Sequence, residues 1–424
     1  MKKKIFIMLG FILMFLCSCG KEDKMKVYVV QEDALYENAM INYAQDNPKA
    51  ALEVEYFETY DQVNERLKTE LLSGKGPDVI LFNSLYSTED SYKLAASGSL
   101  LQLDNMVAGL SKSEYYTEIL DAGILNGNQY FIPLSWNIPQ AYSTKETVEV
   151  NKATDIYDAF AKEEENLKDV DDIGISSLQL LRDDFVNLLF EATGTKIFDK
   201  QTGDVIANKD KVLEAADFVK IIFNDTAKRK EITSKYNNDF AGAVSHLKYM
   251  LENFSFLNNV RYYETLYPVY TGDNMSLSVF EHQSGTGMTA QVVQYGAINA
   301  NTENTEEAWA LLKYILDMPT NMNFAKYELN TAYYAPVNKK SYEKCIDDLK
   351  SLAVSGPNMK VGPLSENYAE YLNNIPDTIS EAVIPNSTFG AILEECLMPY
   401  IRGVDTFEKC YDALIQKTEL YLSE

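Results

Sequence analysis

His246 and His282 are the only imidazoles in this 424-residue chain. A Ser-His or Cys-His nucleophile has to use one of them, with a partner that spacing does not identify. No GxSxG, HExxH, phosphate-loop or EF-hand pattern occurs. Gly285-Thr286-Gly287-Met288-Thr289-Ala290 has the form of a dinucleotide fingerprint, yet it runs into the strand-like Gln291-Val292-Val293. A phosphate there would lack a helix N-terminus, so the segment reads as a hinge loop. Of five cysteines, Cys17 and Cys19 sit at the start, and Cys345, Cys396 and Cys410 remain. Three thiols allow at most one internal disulfide, and whether Cys396 and Cys410 pair is open. Without a CxxC pair or clustered histidines, no metal site is expected, and no cofactor. Carboxylates are abundant: 63 acids include the neighbours Asp171-Asp172 and Asp183-Asp184. A glycoside hydrolase needs only two, at a fixed separation. Most such pairs are solvated surface charges, so the reading is "not an enzyme", with a surface glycoside hydrolase or lyase as the alternative.

Binding chemistry is better supplied. The chain has 29 tyrosines and 19 phenylalanines but two tryptophans. A sugar site wants aromatic platforms for the apolar ring faces beside fixed hydrogen-bonding groups for the rim. The net charge of −25 repels phosphate backbones, which excludes nucleic acid as a partner. With 46% hydrophobic and 24% charged residues, the composition is that of a globular protein of two or three domains.

The elements that must position such a site follow from periodicity. Val27 to Val30 is a β-rich run, followed by a helical stretch through Tyr36, Met40 and Tyr43. Val54, Tyr56 and Phe57 read as a second strand, and Val63, Leu67 and Leu71 recur on one helix face. Gly74-Lys75-Gly76-Pro77 is a loop before the buried strand Asp78 to Phe82. Alternating strands and helices predict an α/β fold with a parallel sheet and right-handed crossovers. Ligands of such sheets sit beyond the carboxyl ends of the strands, which selects Gln31, Glu32, Phe82, Asn83 and Tyr86. Further on, Ala308, Leu311, Leu312 and Ile315 line one helix face, with Trp309 read as core, and Phe407, Tyr411 and Leu414 line another.

The first residues add an address. Lys2-Lys3-Lys4 precedes an apolar run from Ile5 to Leu16, too short to span a bilayer and suited to a signal peptide. Leu16-Cys17-Ser18-Cys19 resembles a bacterial lipobox, with Cys19 as the acylated residue because small Ser18 precedes it. Gly76-Pro77-Asp78-Val79 followed by Gly98-Ser99-Leu100-Leu101-Gln102-Leu103 resembles a passage of the extracellular solute-binding proteins of ABC importers, the group that includes maltodextrin-binding proteins. Tyr130-Phe131-Ile132-Pro133, Ala141-Tyr142-Ser143-Thr144-Lys145, Gly194 with Phe198 to Asp204, Tyr295 to Asn299, Ala335-Pro336-Val337 and Asp405-Thr406-Phe407-Glu408 come in the order of that family.

The resemblance implies a two-lobe binding-protein fold (type II), with parallel-sheet lobes joined by crossing hinge segments. It divides the chain into a signal peptide (1–18), a tether (19–26), one lobe (27–135 and 290–330) and a second (136–289 and 331–424). It further implies ligand contacts at Trp136, Asn137, Arg182, Asp184, Glu252, Phe254 and Phe389. The implied protein is a monomer, held on the outer face of the cell membrane by lipid on Cys19. It would capture a small solute, a carbohydrate, and deliver it to ABC permease subunits. Two departures leave the solute's identity open: tryptophans are few, and Leu85 stands where relatives often carry a charge. A peptide or amino acid is the alternative within the binding class, since Arg182 could grip a carboxylate.

Overall fold

Val27-Tyr28-Val29-Val30 and Val79-Ile80-Leu81-Phe82 are continuous apolar runs, the pattern of strands covered on both faces. They become β1 (Met25–Val30) and, after β2 (Leu52–Phe57), β3 (Val79–Asn83). The computed structural model describes residues 24–31, 33–84, 90–138, 140–144, 158, 173–177, 185–235, 247–252, 275–278, 286–318, 334–351, 354–356, 359–361 and 363–423. β1 pairs in parallel with β2 over its full length and with β3 at Val27↔Val79. The crossovers are the helices Ala34–Asp46 and Tyr60–Leu72. The second starts at Thr59, whose side chain accepts from Gln62 N, and it buries Val63, Leu67 and Leu71 as their spacing requires.

The next strands are a hairpin and a long excursion. β4 (Ile124–Leu125) and β5 (Asn128–Gln129) are joined by Asn126-Gly127, both at positive φ, as a two-residue hairpin turn demands. β6 (Ile132–Asn137) then leads to β7 (Gln140–Thr144), β8 (Ile173–Ser177), β9 (Leu247–Glu252) and β10 (Met275–Ser278). β11 (Met288–Ile298) returns, followed by β12 (Ala335–Pro336), a small hairpin of β13 (Val354–Gly356) and β14 (Met359–Val361), and β15 (Ile379–Val383).

Among the described residues, the larger sheet has the order β12-β6-β11-β3-β1-β2, with β15 on the far part of β11. The smaller runs β10-β7-β9-β8. The parallel arrangement holds for β2, β1 and β3 and departs at the crossings. β11 is antiparallel to both β3 and β6, and in the smaller sheet only β8 and β9 are parallel. The reason is direction of entry. β6 follows the β4–β5 hairpin instead of a helical crossover, and β11 enters from the smaller sheet. Every residue of β6 and of β11 is buried.

The helix Thr305–Asp317 buries Ala308, Leu311, Leu312 and Ile315, with Trp309 half-buried against the same core. The helix Phe407–Ser423 buries Phe407, Leu414 and Tyr421. Cys345, Cys396 and Cys410 are buried and none is in a disulfide, so Cys396 and Cys410 do not pair. Gly287, just before β11, has φ +80, and a side-chain carbon there would lie 2.7 Å from Ser380 Cβ.

Gly123 shows how tightly the β4 corner is built. A methyl on it would lie 1.9 Å from the Phe131 carbonyl oxygen, a backbone atom that cannot turn aside. Gly123→Ala is therefore expected to cost on the order of 3 kcal/mol. Urea unfolding checks this: the midpoint should fall with an unchanged slope.

Candidate functional site

At the carboxyl ends of β1 and β3 lies a buried polar cluster centred on Asp33. The chain turns there, with Asp33 N bonded to Val30 O, and enters the helix Ala34–Asp46. An aspartate at a helix start ordinarily caps it, but this carboxylate makes no cap hydrogen bond. Its Oδ2 accepts from Tyr60 Oη at 2.7 Å and from Asn83 Nδ2 at 2.8 Å, while Oδ1 accepts from Gln294 Nε2 at 2.8 Å. Ser135 Oγ donates to Gln294 Oε1 at 2.9 Å, which brings in β6. Tyr36 Oη donates to Phe82 O at 2.6 Å beside it. All these side chains are buried, and the donors to Asp33 are neutral. The result is a rigid polar floor under the carboxyl ends of β1 and β3, the edge at which parallel sheets take their ligands.

Several residues selected from the sequence are on or near this floor. Asn83 is part of it. Gln31 is exposed at its edge, its backbone N bonded to Phe57 O. Asn137 is buried at the end of β6, opposite Gln291. Phe82 lies beneath, stacked on Tyr295 with ring centroids 4.9 Å apart. Trp136 is fully buried. Its Nε1 donates to Pro336 O at 3.1 Å, its ring stacks on Tyr342 at 5.7 Å, and Tyr116 meets it edge-on. As placed, the indole packs β6 against β12 and the helix Lys339–Ser351. Glu252 ends β9 opposite Gln140. Glu32, Tyr86, Arg182, Asp184, Phe254 and Cys19 lie outside the described residues.

Phe389 is elsewhere. It sits in the first turn of the helix Ser387–Ile401, where its backbone N bonds to the capping Asn386 side chain. It meets Phe198 edge-on at 4.7 Å and lines a cavity of about 430 Å³. That cavity also takes walls from the helix Phe185–Ala192, the segment 195–201, β15 and the segment 118–124. None of Asp33, Asn83, Ser135 and Gln294 lines it. Among the described residues, no group of His, Cys, Asp or Glu side chains could hold a metal ion.

Asp33, Tyr60, Ser135 and Gln294 went unselected from the sequence. Asp33 looks like a helix cap, and Tyr60 lies 27 residues away from it. A signal was present at Gln294, a polar residue inside the apolar run Val292 to Ile298. A polar side chain in a strand buried on both faces must find a partner.

The family model of bacterial extracellular solute-binding proteins matches residues 25–322. A comparison with curated proteins gives no match. Solved structures are similar over almost the whole chain. An ABC substrate-binding protein of Listeria monocytogenes in complex with cycloalternan is 12% identical, with a TM-score of 0.58, covering 94% of this chain and 99% of that one. An ABC transporter solute-binding protein of Thermotoga lettingae bound with α-D-tagatose is 13% identical, with a TM-score of 0.58 and the same coverage. The cyclic α-maltosyl-1,6-maltose binding protein of Arthrobacter globiformis is 11% identical, with a TM-score of 0.61, covering 94% and 98%. At these identities the likeness is one of fold, the two-lobe α/β fold.

The floor has a measurable signature in alkali. Burial first, and then the charge of Asp33, pushes the Tyr60 phenol well above its ordinary value of 10.0. Between pH 10 and that raised value the unfolded chain releases this proton and the folded chain keeps it. The phenol's contribution is thus complete below about pH 10 and shrinks as pH rises further. Tyr60→Phe removes one such proton, so the loss of stability from pH 10 to 11 should be smaller by up to about 1.4 kcal/mol. Urea midpoints of both proteins at pH 9, 10 and 11 give that difference.

Proposed function

This chain belongs to the bacterial extracellular solute-binding protein family, and from that premise we propose that it captures a carbohydrate between two lobes and delivers it to an ABC permease. The family is one of binding proteins, not enzymes, and its members work outside the cytoplasm. The observation that carries the reading is the match of the family model over residues 25–322, with the Asp33-centred cluster fixing buried amide and hydroxyl groups at the carboxyl ends of β1 and β3. Support for a carbohydrate comes from relatives of this fold solved with cycloalternan and α-D-tagatose.

In this reading the lobes are residues 27–135 with 290–330, and 136–289 with 331–424. They rotate about crossings near Ser135 and Thr289. Gln31, Glu32, Asn83 and Tyr86 receive the solute from one side, and Asn137 meets it at the crossing. Arg182, Asp184, Glu252 and Phe254 receive it from the other. Phe82 and Trp136 support the contact residues from beneath. Solute binds the open form, and closure is stabilised by contacts that exist only when both lobes touch it. Residues 1–18 are removed, and acyl chains on Cys19 tether the protein to the membrane through residues 19–26. Two or three chains on one residue hold stably where one would be marginal.

Maltose, maltotriose, cycloalternan and α-D-tagatose form the first panel. A sugar at 100 times its dissociation constant should stabilise the protein by about 2.7 kcal/mol, raising its melting temperature measurably. The same sugar should shrink the radius of gyration in solution scattering. No shift with these or a wider saccharide set would remove the carbohydrate reading. For the anchor, Cys19→Ala should abolish metabolic labelling with palmitate and leave the protein unprocessed or released. A labelled, cell-bound Cys19→Ala product would show that the acyl acceptor is another residue.

A further inference from the structure

The cavity that Phe389 lines has an unusual distribution of charge. Lys200 reaches into the protein from the segment 195–201. The residue is partly exposed, but its ammonium is enclosed, and burial pulls its pKa below the ordinary 10.5. Nζ donates to Ile384 O at 2.7 Å, and among the described residues no carboxylate lies within ion-pair distance of it.

The acids that face Lys200 are Glu191, Asp90 and Glu381, and each is engaged by other groups. Glu191 accepts from Asn187 Nδ2 at 3.1 Å and from Gln291 Nε2 at 2.6 Å. Asp90 accepts from Asn386 Nδ2 at 3.0 Å and Tyr421 Oη at 2.8 Å. Glu381 pairs with Lys196 and accepts from Thr289 Oγ1 at 3.0 Å. These carboxylates stabilise the ammonium from beyond ion-pair distance, and among the described residues Ile384 O is the one acceptor that Nζ bonds, which leaves two of its three N–H donors without one.

The opposite charge is found on the segment 118–124. Glu118 and Asp121 line the same cavity from the surface, with Lys112 near Asp121 but beyond ion-pair distance. Burial and the neighbouring Glu118 hold the Asp121 carboxyl above its ordinary range. The walls also include Phe190, Ile197, Phe198 and Leu393. About 430 Å³ is within the range of small-molecule sites.

We propose that this cavity is a second ligand site, separate from the Asp33 floor, for a dipeptide-sized zwitterion with apolar side chains. Its carboxylate takes the two available donors of Lys200. Its ammonium faces Glu118 and Asp121, and its side chains lie against the phenylalanines. The two charges differ in depth, one enclosed and one exposed, so the ligand carries them at opposite ends. That favours a dipeptide over a single amino acid. The site does not depend on the carbohydrate reading.

Titration calorimetry on the wild-type chain from Cys19 to Glu424 tests this with leucyl-leucine, its N-acetyl form, its C-terminal amide and leucine. Free leucyl-leucine should bind, and each blocked form should bind about thirtyfold more weakly. Lys200→Met should weaken leucyl-leucine about as much as the amide does, and the amide should lose little further. Glu118→Gln with Asp121→Asn should reproduce the N-acetyl effect. Melting temperatures check that the variants fold, and the wild-type comparison of blocked forms stands without them. Equal binding of free and blocked dipeptides, undetectable binding at millimolar concentration, or tighter binding of leucine overturns the proposal. A saccharide titration of Lys200→Met separates the two sites, because a response to sugar there should persist whatever leucyl-leucine does.

Discussion

The buried carboxylate of Asp33 is the constraint on which this architecture turns. It is reached from three directions, by Tyr60 on a crossover helix, Asn83 on β3 and Gln294 on β11. Gln294 passes the connection to Ser135 on β6. One anion thus gathers the first strand, a helix, the third strand and both crossing strands. A carboxylate taken from water is tolerated only when its lone pairs are filled, and removing one donor would leave a charge partly unmet. The cluster therefore behaves as a unit.

The crossing strands are shaped by that unit. β11 changes register twice against β6, on either side of Gln294. Register irregularities re-aim side chains, and here the irregular point is the residue that reaches Asp33. At the other end β11 begins after Gly287, whose positive φ and closeness to Ser380 leave no room for a side chain. Between these points Trp136 fills the space beneath β12. Trp136 and the Ser135–Gln294 bond thus tie β6 to β12 and β11 in the same stretch.

Helix faces were legible in the sequence because an amphipathic stripe needs only local spacing. Val63, Leu67 and Leu71 are buried as their period implies, as are Ala308, Leu311, Leu312 and Ile315. The three parallel strands followed from the alternation of elements. The antiparallel entry of β6 and β11 did not, since it depends on the sheet from which each strand arrives. Trp136 illustrates the limit at the site. Its place at the crossing was readable from family resemblance, but depth was not, because a strand buried on both faces has no alternation to separate floor from core. Asp33 was hidden for a different reason. A helix-start aspartate is a complete local explanation, and its actual partner Gln294 stands 261 positions away.

The tyrosines bring composition and structure together. Twenty-nine of them invite a reading as sugar platforms, yet several spend their hydroxyl on carboxylates. Tyr28 donates to Glu70, Tyr60 to Asp33, Tyr115 to Asp317, Tyr314 to Asp46, Tyr400 to Asp217 and Tyr421 to Asp90. A chain with 63 acids and 38 basic residues cannot give every inward-facing acid a cation. A phenol offers a donor on an apolar ring, so it satisfies the anion while adding to the core, and unlike a lysine it brings no second charge to desolvate. The contrast with Lys200 has the same physical origin. A buried anion can be completed by neutral hydroxyls and amides, which this chain has in plenty. A buried ammonium needs acceptors, and around Lys200 the acidic ones are already held by Asn187, Gln291, Asn386, Tyr421, Lys196 and Thr289. The chain that solved the placement of its acids with tyrosine left that one cation beside a cavity.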